Sequence, residues 1–413
     1  MKKLRVLLFG HCQQLLMLMP SLLHRSGFNV EVISTNEILA NSNFVDKFTL
    51  VNSQQEMLNL IRQKNLDDYD FIIPGDDPTI KLITDCDLPI AQKLKLLPVL
   101  EEKNFVHLFS KIGLSQILSS ANINTPPFAI ANNQEQAELE AEKIGYPLMV
   151  KVNSSSGGDG TFECNSKEDL QKIPAHLFHQ PILIQKRIIG CELDLSGLFR
   201  DGKLIYFTHS TIKKVAYNKF GPSSVRIYQQ LGTIDHNIFS QMEQLGTALG
   251  ANGFATISCI EDAQDKKLYF IEADMRPNAW AQFGKFFGDD PAVRIKRWFL
   301  NQEAMRYPLA INKNYPSQLL LPLFFRLPFK DVLRNRYKIW KYLPWEEYRI
   351  LFRVLCPKYE AEFKPYLRKM KKAALKTIRH IPSKIGRFFI SEKEVRLKLR
   401  RQIKQIFCFK RAA

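Results

Sequence analysis

Three short apolar runs, LRVLLF at 4–9, VEVIS at 30–34 and FIIP at 71–74, alternate with segments at 14–25 and 54–64 whose apolar positions recur at helical spacing. Strands without polar alternation are buried on both faces. Joined by amphipathic helices, they predict a parallel sheet with helices packed on its faces, an α/β unit over residues 1–104. Only Gly10 follows the first run, so the GxGxxG dinucleotide fingerprint is absent and NAD is not expected.

From about residue 105 the pattern changes. A helix is predicted around Lys111 to Ala121, a break at Pro126 and Pro127, and then strands separated by glycine-containing turns. Arg200, Asp201 and Gly202 between LDLSGLF and KLIYF predict a β-hairpin, and Glu261 to Asp265 between FATISCI and KKLYFIEAD predict a second. This α+β pattern defines a second unit, 105–312. Residues 313–413 form a third, first aromatic and proline-punctuated, then basic. Its segments 364–378 and 393–407 carry apolar residues at helical spacing, for example Val395, Leu399, Ile403 and Ile406, and read as basic amphipathic helices.

Composition changes this picture in one respect. The net charge of +18 is not spread over the 413 residues: the segment from Lys330 to Ala413 holds 25 Lys and Arg against 7 Asp and Glu, the whole excess. An anionic partner therefore belongs to that segment. Seven scattered cysteines without a CxxC pair suggest neither a disulfide framework nor a zinc site and fit a reducing compartment. The apolar start is interrupted by Gly10, His11, Gln13 and Gln14, unlike a signal peptide, and no run reaches the ~18 apolar residues of a membrane span.

Three segments carry chemistry. In GYPLMVKVNSSSGGDGT (145–161) a strand ending at Lys151 runs into a loop of small residues including Ser156, Gly157 and Gly158. Small side chains let backbone N–H groups approach a polyphosphate beside a lysine charge, though a surface hairpin explains the loop equally well. In ILIQKRIIGCELDLSGLF (182–199) a strand enters a turn at Gly190, Cys191 and Glu192. Glu192 could accept ribose hydroxyls, and the backbone of Lys186 to Ile188 could face an adenine edge; a charged turn before a strand is the commoner meaning of such a glutamate. In FIEADMRPNAW (270–280) Glu272 and Asp274 lie two apart, on one face of a strand, where paired carboxylates can hold Mg²⁺ bridging phosphates. Arg276 follows, suited to a phosphoryl or carboxylate oxygen.

In order and spacing these segments resemble the ATP-grasp superfamily, of the carboxylate–amine ligase type, with an ATP-binding domain like those of biotin carboxylase and the carbamoyl-phosphate synthase large chain. The resemblance covers Lys111 to about Trp298. It implies a Rossmann-like pre-ATP-grasp domain at 1–104, an ATP-grasp domain at 105–312 and the basic extension at 313–413. It further implies that Lys111 and Lys151 contact phosphate and that Ser154 to Thr161 close over it. Gln185, Lys186 and Ile188 fall at the adenine hinge, Glu192 at the ribose, Glu272 and Asp274 at the metal, and Arg276 and Lys213 beside the reacting groups. Three positions depart from the pattern. Gln185 stands where the family has Glu, Asp274 where it has Asn, and Ser258 where it has a first magnesium carboxylate, so that Glu261 or Asp262 would have to reach in or a single cation suffice.

The implied activity is ATP- and Mg²⁺-dependent ligation, with Mn²⁺ an alternative cation: a small-molecule carboxylate becomes an acylphosphate and an amine attacks it. Residues 330–413 suggest docking on an anionic membrane surface at the cytoplasmic face, with nucleic acid or the ligase body as other partners for the same charge and apolar stripes. The opposing reading is a catalytically weakened nucleotide fold whose basic tail does the binding. Ser258 favours it.

Overall fold

The computed structural model describes residues 3–12, 16–155, 157–215, 219–229, 236–306, 318–322, 342, 345–351 and 353. It divides the chain into a unit at Met1–Ile350 and a second at Leu351–Ala413. The segments expected as basic helices, 364–378 and 393–407, lie outside the described residues, as does nearly all of the segment assigned to an anionic partner. Among the described residues, no helix is long and apolar enough to cross a membrane.

The first sheet holds β1 (Leu4–Gly10), β2 (Phe28–Ser34), β3 (Lys47–Leu50) and β4 (Phe71–Pro74) in the order β3-β2-β1-β4, every pair parallel. β3, a short and half-exposed strand, has no sequence signal comparable to the other three. Helices α1 (Met19–Arg25), α2 (Gln54–Arg62), α3 (Asp77–Asp85) and α4 (Ile90–Leu96) intervene. Ser53 caps α2 by accepting from the Glu56 amide, and Asp76 caps α3 by accepting from Thr79 N at 3.0 Å. Of the helix expected at 14–25, Leu16 is helical, Met17 and Leu18 form a turn and α1 follows; residues 13–15 lie outside the description.

Helix α5 (Lys111–Ser120) leads into a four-stranded antiparallel sheet, β5-β8-β6-β7, formed by β5 (Phe128–Ala131), β6 (Leu148–Val152), β7 (Thr161–Cys164) and β8 (Ile182–Lys186). Helices α6 (Gln134–Ile144) and α7 (Lys167–Gln171) cover its core of Ala137, Ala141, Leu148, Val150, Leu170 and Ile184.

The third sheet has six strands in the order β13-β12-β9-β10-β11-β14. These are β9 (Gly190–Arg200), β10 (Lys203–Val215), β11 (Ser223–Gln229), β12 (Phe254–Asp262), β13 (Leu268–Asp274) and β14 (Gln318–Pro322); α8 (His236–Ala248) precedes β12 and α9 (Pro291–Asn301) follows β13. Both expected hairpins are present. β9 and β10 turn at Asp201 (φ 53) and Gly202 (φ 74), the pair of positive φ angles that a tight two-residue hairpin requires. β14 pairs with β11, so this sheet continues past the boundary drawn at 312.

The parallel sheet meets the six-stranded sheet through aromatic contacts. Phe71 stacks on Phe254 at 6.1 Å and tilts against Phe299 at 5.4 Å, and the Arg200 guanidinium lies 4.8 Å from the Phe71 ring. This packing sets the start of β4 against the start of β12 and against α9.

Candidate active site

Alternation along β9 and β12 gives the six-stranded sheet two unlike faces. Leu193, Leu195, Ile257 and Cys259 enter the apolar core, while Glu192, Asp194, Ser196, Thr256 and Ser258 point the other way. On β13 the alternation alone would put Glu272 on the same side as Phe270, which is 1% exposed in the core. A register irregularity resolves this. Ser258 pairs with Glu272 but Cys259 with Phe270, so Ile271 is the extra residue and Glu272 and Asp274 turn to the polar face.

Lys151, on β6, is 8% exposed and its Nζ donates to Gln185 Oε1 at 2.8 Å; Gln185 Nε2 donates to Ser115 Oγ at 3.1 Å. Burial pushes the Lys151 ammonium down to about 8; Glu272 and Glu192 oppose the shift and Lys111 adds to it. Glu272 is pushed up to about 7 by burial and by Asp274, against Lys111, Lys151 and Arg276. Lys151 is thus within electrostatic reach of Lys111, Glu192 and Glu272, and Glu272 of Lys111. Glu192 is raised too, by desolvation first and then by Asp194.

The loop between β6 and β7 approaches from the other side. Lys111 Nζ donates to Ser155 O at 2.7 Å and to Ser155 Oγ at 3.2 Å. Gly157, Gly158 and Gly160 all have positive φ, and a Cβ on Gly158 would lie 2.4 Å from the Phe220 carbonyl oxygen, so small residues are required there by geometry. Ser156 lies outside the described residues. The first amides of α5 are taken, Ile112 N by Asn153 Oδ1 and Gly113 N by Ser110 Oγ, both at 3.0 Å, which leaves Lys111 itself as the cationic group at this helix end.

Other expected site residues have bonds of their own within the fold. Lys186 N donates to Pro127 O and Arg187 N to Pro147 O, because both amides complete the ladder of the small sheet; of the hinge amides, Ile188 remains for a ligand. The Lys186 side chain is also engaged, donating to Gly145 O and Tyr146 O. Gln185 bridges Lys151 and Ser115.

Arg276 was expected at a substrate oxygen. Its Nε donates to Asp77 Oδ2 at 2.7 Å and its Nη2 to Asp274 Oδ2 at 2.6 Å, so it ties the start of α3 to the end of β13. Burial works against this charge, but Asp274 and Asp77 outweigh it and hold the guanidinium protonated. Asp77 is in turn pushed up to about 6 by burial and by Asp274, with Arg276 opposing. Lys213 is exposed at the irregularity where β10 pairs β11 and is not brought to the Lys151 and Glu272 cluster.

Glu261 and Asp262 do not replace the carboxylate missing at Ser258. Glu261 pairs with Leu268 at the far end of β12, and Asp262 Oδ1 accepts from Gln264 N at 2.6 Å and Asp265 N at 3.1 Å in the hairpin turn. Among the described residues no three His, Cys, Asp or Glu are grouped to hold a metal ion. Glu272 and Asp274 offer a pair of carboxylates, and one oxygen of Asp274 is bound by Arg276. A carboxyl raised by burial and a like charge, as Glu272 is, gains from a nearby divalent cation, so the pair fits Mg²⁺ completed by phosphate and water oxygens.

Residues 116–279 match the family model of the ATP-grasp domain. Solved structures of similar fold include three of note. The biotin carboxylase domain of Hydrogenobacter thermophilus 2-oxoglutarate carboxylase, in complex with MgADP, ADP and bicarbonate, is 18% identical over 74% of this chain and 72% of that one, with TM-score 0.56. Staphylococcus aureus N5-carboxyaminoimidazole synthetase complexed with ADP is 16% identical over 74% and 80%, with TM-score 0.55. The L-amino acid ligase of Bacillus licheniformis is 18% identical over 72% and 75%, with TM-score 0.53. At these identities the likeness is one of fold.

Proposed function

We propose that this chain is an ATP- and Mg²⁺-dependent ligase that activates a small-molecule carboxylate as an acylphosphate for attack by an amine. The observation that carries the reading is the meeting of Lys111, Lys151 and the glycine loop with Glu272 at one end of the polar sheet face, inside a domain of the ATP-grasp family. Lys111 and Lys151 neutralise the polyphosphate, the Ile188 amide meets the adenine edge and Glu192 the ribose. Glu272 and the Asp274 oxygen not bonded to Arg276 would hold Mg²⁺ or Mn²⁺, which would supply charge stabilisation at the transferring phosphoryl group. Arg276 acts as a positioning residue, fixing Asp274 from behind.

The carboxylate oxygen attacks the γ-phosphorus and ADP leaves; the neutral amine nitrogen then attacks the acyl carbon, the C–O bond to phosphate breaks, phosphate departs and the nitrogen gives up a proton to the departing phosphate or to water. ADP and phosphate release over a panel of carboxylates and amines tests this. Release that requires both substrates supports it, and nucleotide binding with no release under any pairing overturns it. A second reading, a nucleotide-binding protein with weakened turnover, is favoured by one observation, Ser258 opposite Glu272.

A further inference from the structure

One guanidinium joins the end of β13 to the start of α3. Arg276 Nε donates to Asp77 Oδ2 at 2.7 Å, and Arg276 Nη2 donates to Asp274 Oδ2 at 2.6 Å. The Nε–H and Nη2–H bonds of an arginine run parallel and can together grip a single carboxylate through both its oxygens. In this protein they are divided between two acids, and Asp274 is held through one oxygen. The side chains of Asp77 and Arg276 are 10% and 12% exposed and that of Asp274 is 25% exposed, so the Asp274 carboxylate still reaches solvent. Arg276 stays beside Asp274 in any case, because its own amide donates to Asp274 O at 2.8 Å. How many Asp274 oxygens the guanidinium takes therefore depends on what else it holds.

Asp77 is itself firmly placed. The preceding residue, Asp76, has both oxygens engaged: Oδ1 accepts from Thr79 N and Thr79 Oγ1, and Oδ2 accepts from His11 N and Cys12 N in the loop after β1. Glycines allow this close approach, since a Cβ on Gly10 would lie 2.8 Å from Asp76 Oδ2 and one on Gly75 would lie 2.0 Å from Leu16 Cδ2. The ends of β1 and β4 thus fix an acid that acts on an arginine 199 positions further along the chain.

We propose that Asp77 is a positioning residue for the divalent cation: by engaging Arg276 Nε it keeps the guanidinium on one oxygen of Asp274 and leaves the other oxygen, with Glu272, for the metal. The proposal rests on the ligase reading, in which Glu272 and Asp274 hold Mg²⁺. Without the charge at position 77, Arg276 Nε turns to Asp274 as well, and a bidentate pair takes both oxygens from the cation. An ionised acceptor bonds a guanidinium about twice as strongly as a neutral one, so an aspartate at 274 is the residue that needs this restraint. Asp77 touches neither metal nor nucleotide. Its effect passes through Arg276.

The test is calorimetric titration of AMPPNP binding against Mg²⁺ with the full chain. Asp77→Asn keeps the size and an oxygen for Arg276 Nε but removes the charge. It is expected to raise the Mg²⁺ concentration for half-maximal nucleotide binding at least fivefold, while AMPPNP affinity in EDTA stays within twofold. In Asp274→Asn, which lacks the charge that draws Arg276, the same change at position 77 is expected to shift the Mg²⁺ requirement less than twofold. A merely structural Asp77 would lower stability and leave the Mg²⁺ requirement of the folded chain unchanged. Coincident Mg²⁺ titrations of Asp77→Asn and the parent, or equal shifts with aspartate and with asparagine at 274, overturn the proposal. Should Asp77→Asn not fold, Asp77→Ser, which leaves room for water beside Arg276 Nε, is judged by the same criterion. AMPPNP binding by the parent that is indifferent to Mg²⁺ overturns the metal assignment of the ligase reading and the proposal with it, an outcome distinct from a Mg²⁺-dependent parent matched by its variant.

Discussion

Ser258 stands directly opposite Glu272 in the ladder between β12 and β13, and on its other side it pairs with Asp194 of β9. Its side chain thus occupies the middle of a row whose flanking positions are both carboxylates, and it is 9% exposed. A carboxylate placed there would stand beside Glu272 on the same face.

The first expectation follows from that neighbour relation. Ser258→Asp adds a second oxygen ligand for a divalent cation next to Glu272 and shifts the Mg²⁺ dependence of nucleotide binding to lower concentration. Titration of AMPPNP binding against Mg²⁺ and Mn²⁺ reads this directly. Coincident titrations of variant and parent would show that position 258 does not address the metal.

Lys151 carries the second. Its ammonium, pushed down to about 8 by burial, gains a polyanion when nucleotide binds, and an opposite charge raises the proton affinity of a lysine. Nucleotide binding near pH 8 is therefore expected to take up protons, seen as a dependence of the calorimetric enthalpy on buffer ionisation heat. Lys151→Met is expected to lose both this uptake and ATP turnover. It also leaves Gln185 Oε1 without its donor, at a stability cost of about 1–2 kcal/mol. Buffer-independent enthalpy in the parent would remove Lys151 from the phosphate site.

The sequence revealed much of this arrangement where local pattern and chemistry coincide. β1, β2 and β4 are legible because they are uninterrupted apolar runs, and both hairpins because Asp-Gly and Asp-rich turns mark them. What escaped depends on long-range register. Phe270 and Glu272 share a parity, and only the irregularity at Ile271, which is set by pairing with β12, separates them onto opposite faces. Asp77 is an acid in the first turn of α3. Its partner Arg276 is 199 positions away, and nothing local announces that pairing. Asp194 had a signal that went unused: it lies two residues after Glu192 on one strand, hence on the same face.

The third expectation concerns that distant pair. Asp77→Ala leaves Arg276 Nε buried without its carboxylate, and breaking a buried pair costs about 3–5 kcal/mol. Asp274 still holds the other edge of the guanidinium, so the low end, about 3 kcal/mol, is expected from urea unfolding. A loss under about 0.5 kcal/mol, the scale of ordinary surface substitutions, would show that the two residues do not pair in solution.

The last expectation is a pH effect far from the proposed chemistry. His107 is 1% exposed, its Nε2 donates to Leu249 O at 3.0 Å, and its Nδ1 is buried without a partner. Protonation would place a charge at that unpartnered nitrogen, and burial accordingly pushes the imidazole down to about 4 from an ordinary 6.5. Between these values the unfolded chain holds more protons than the folded one, so the contribution of this group makes stability fall as pH falls. From pH 7 to pH 5 the loss is about 2 kcal/mol, on the scale of 1.36 kcal/mol per pH unit below 6.5. Raised carboxyls such as Glu272 and Asp77 act in the opposite direction, so the measurement must be a difference between variants. His107→Gln keeps a donor for Leu249 O without a titrating nitrogen. The parent is expected to lose about 2 kcal/mol more than this variant between pH 7 and pH 5 in urea unfolding. Identical pH dependence in the two proteins would mean that His107 is not held neutral in the folded state.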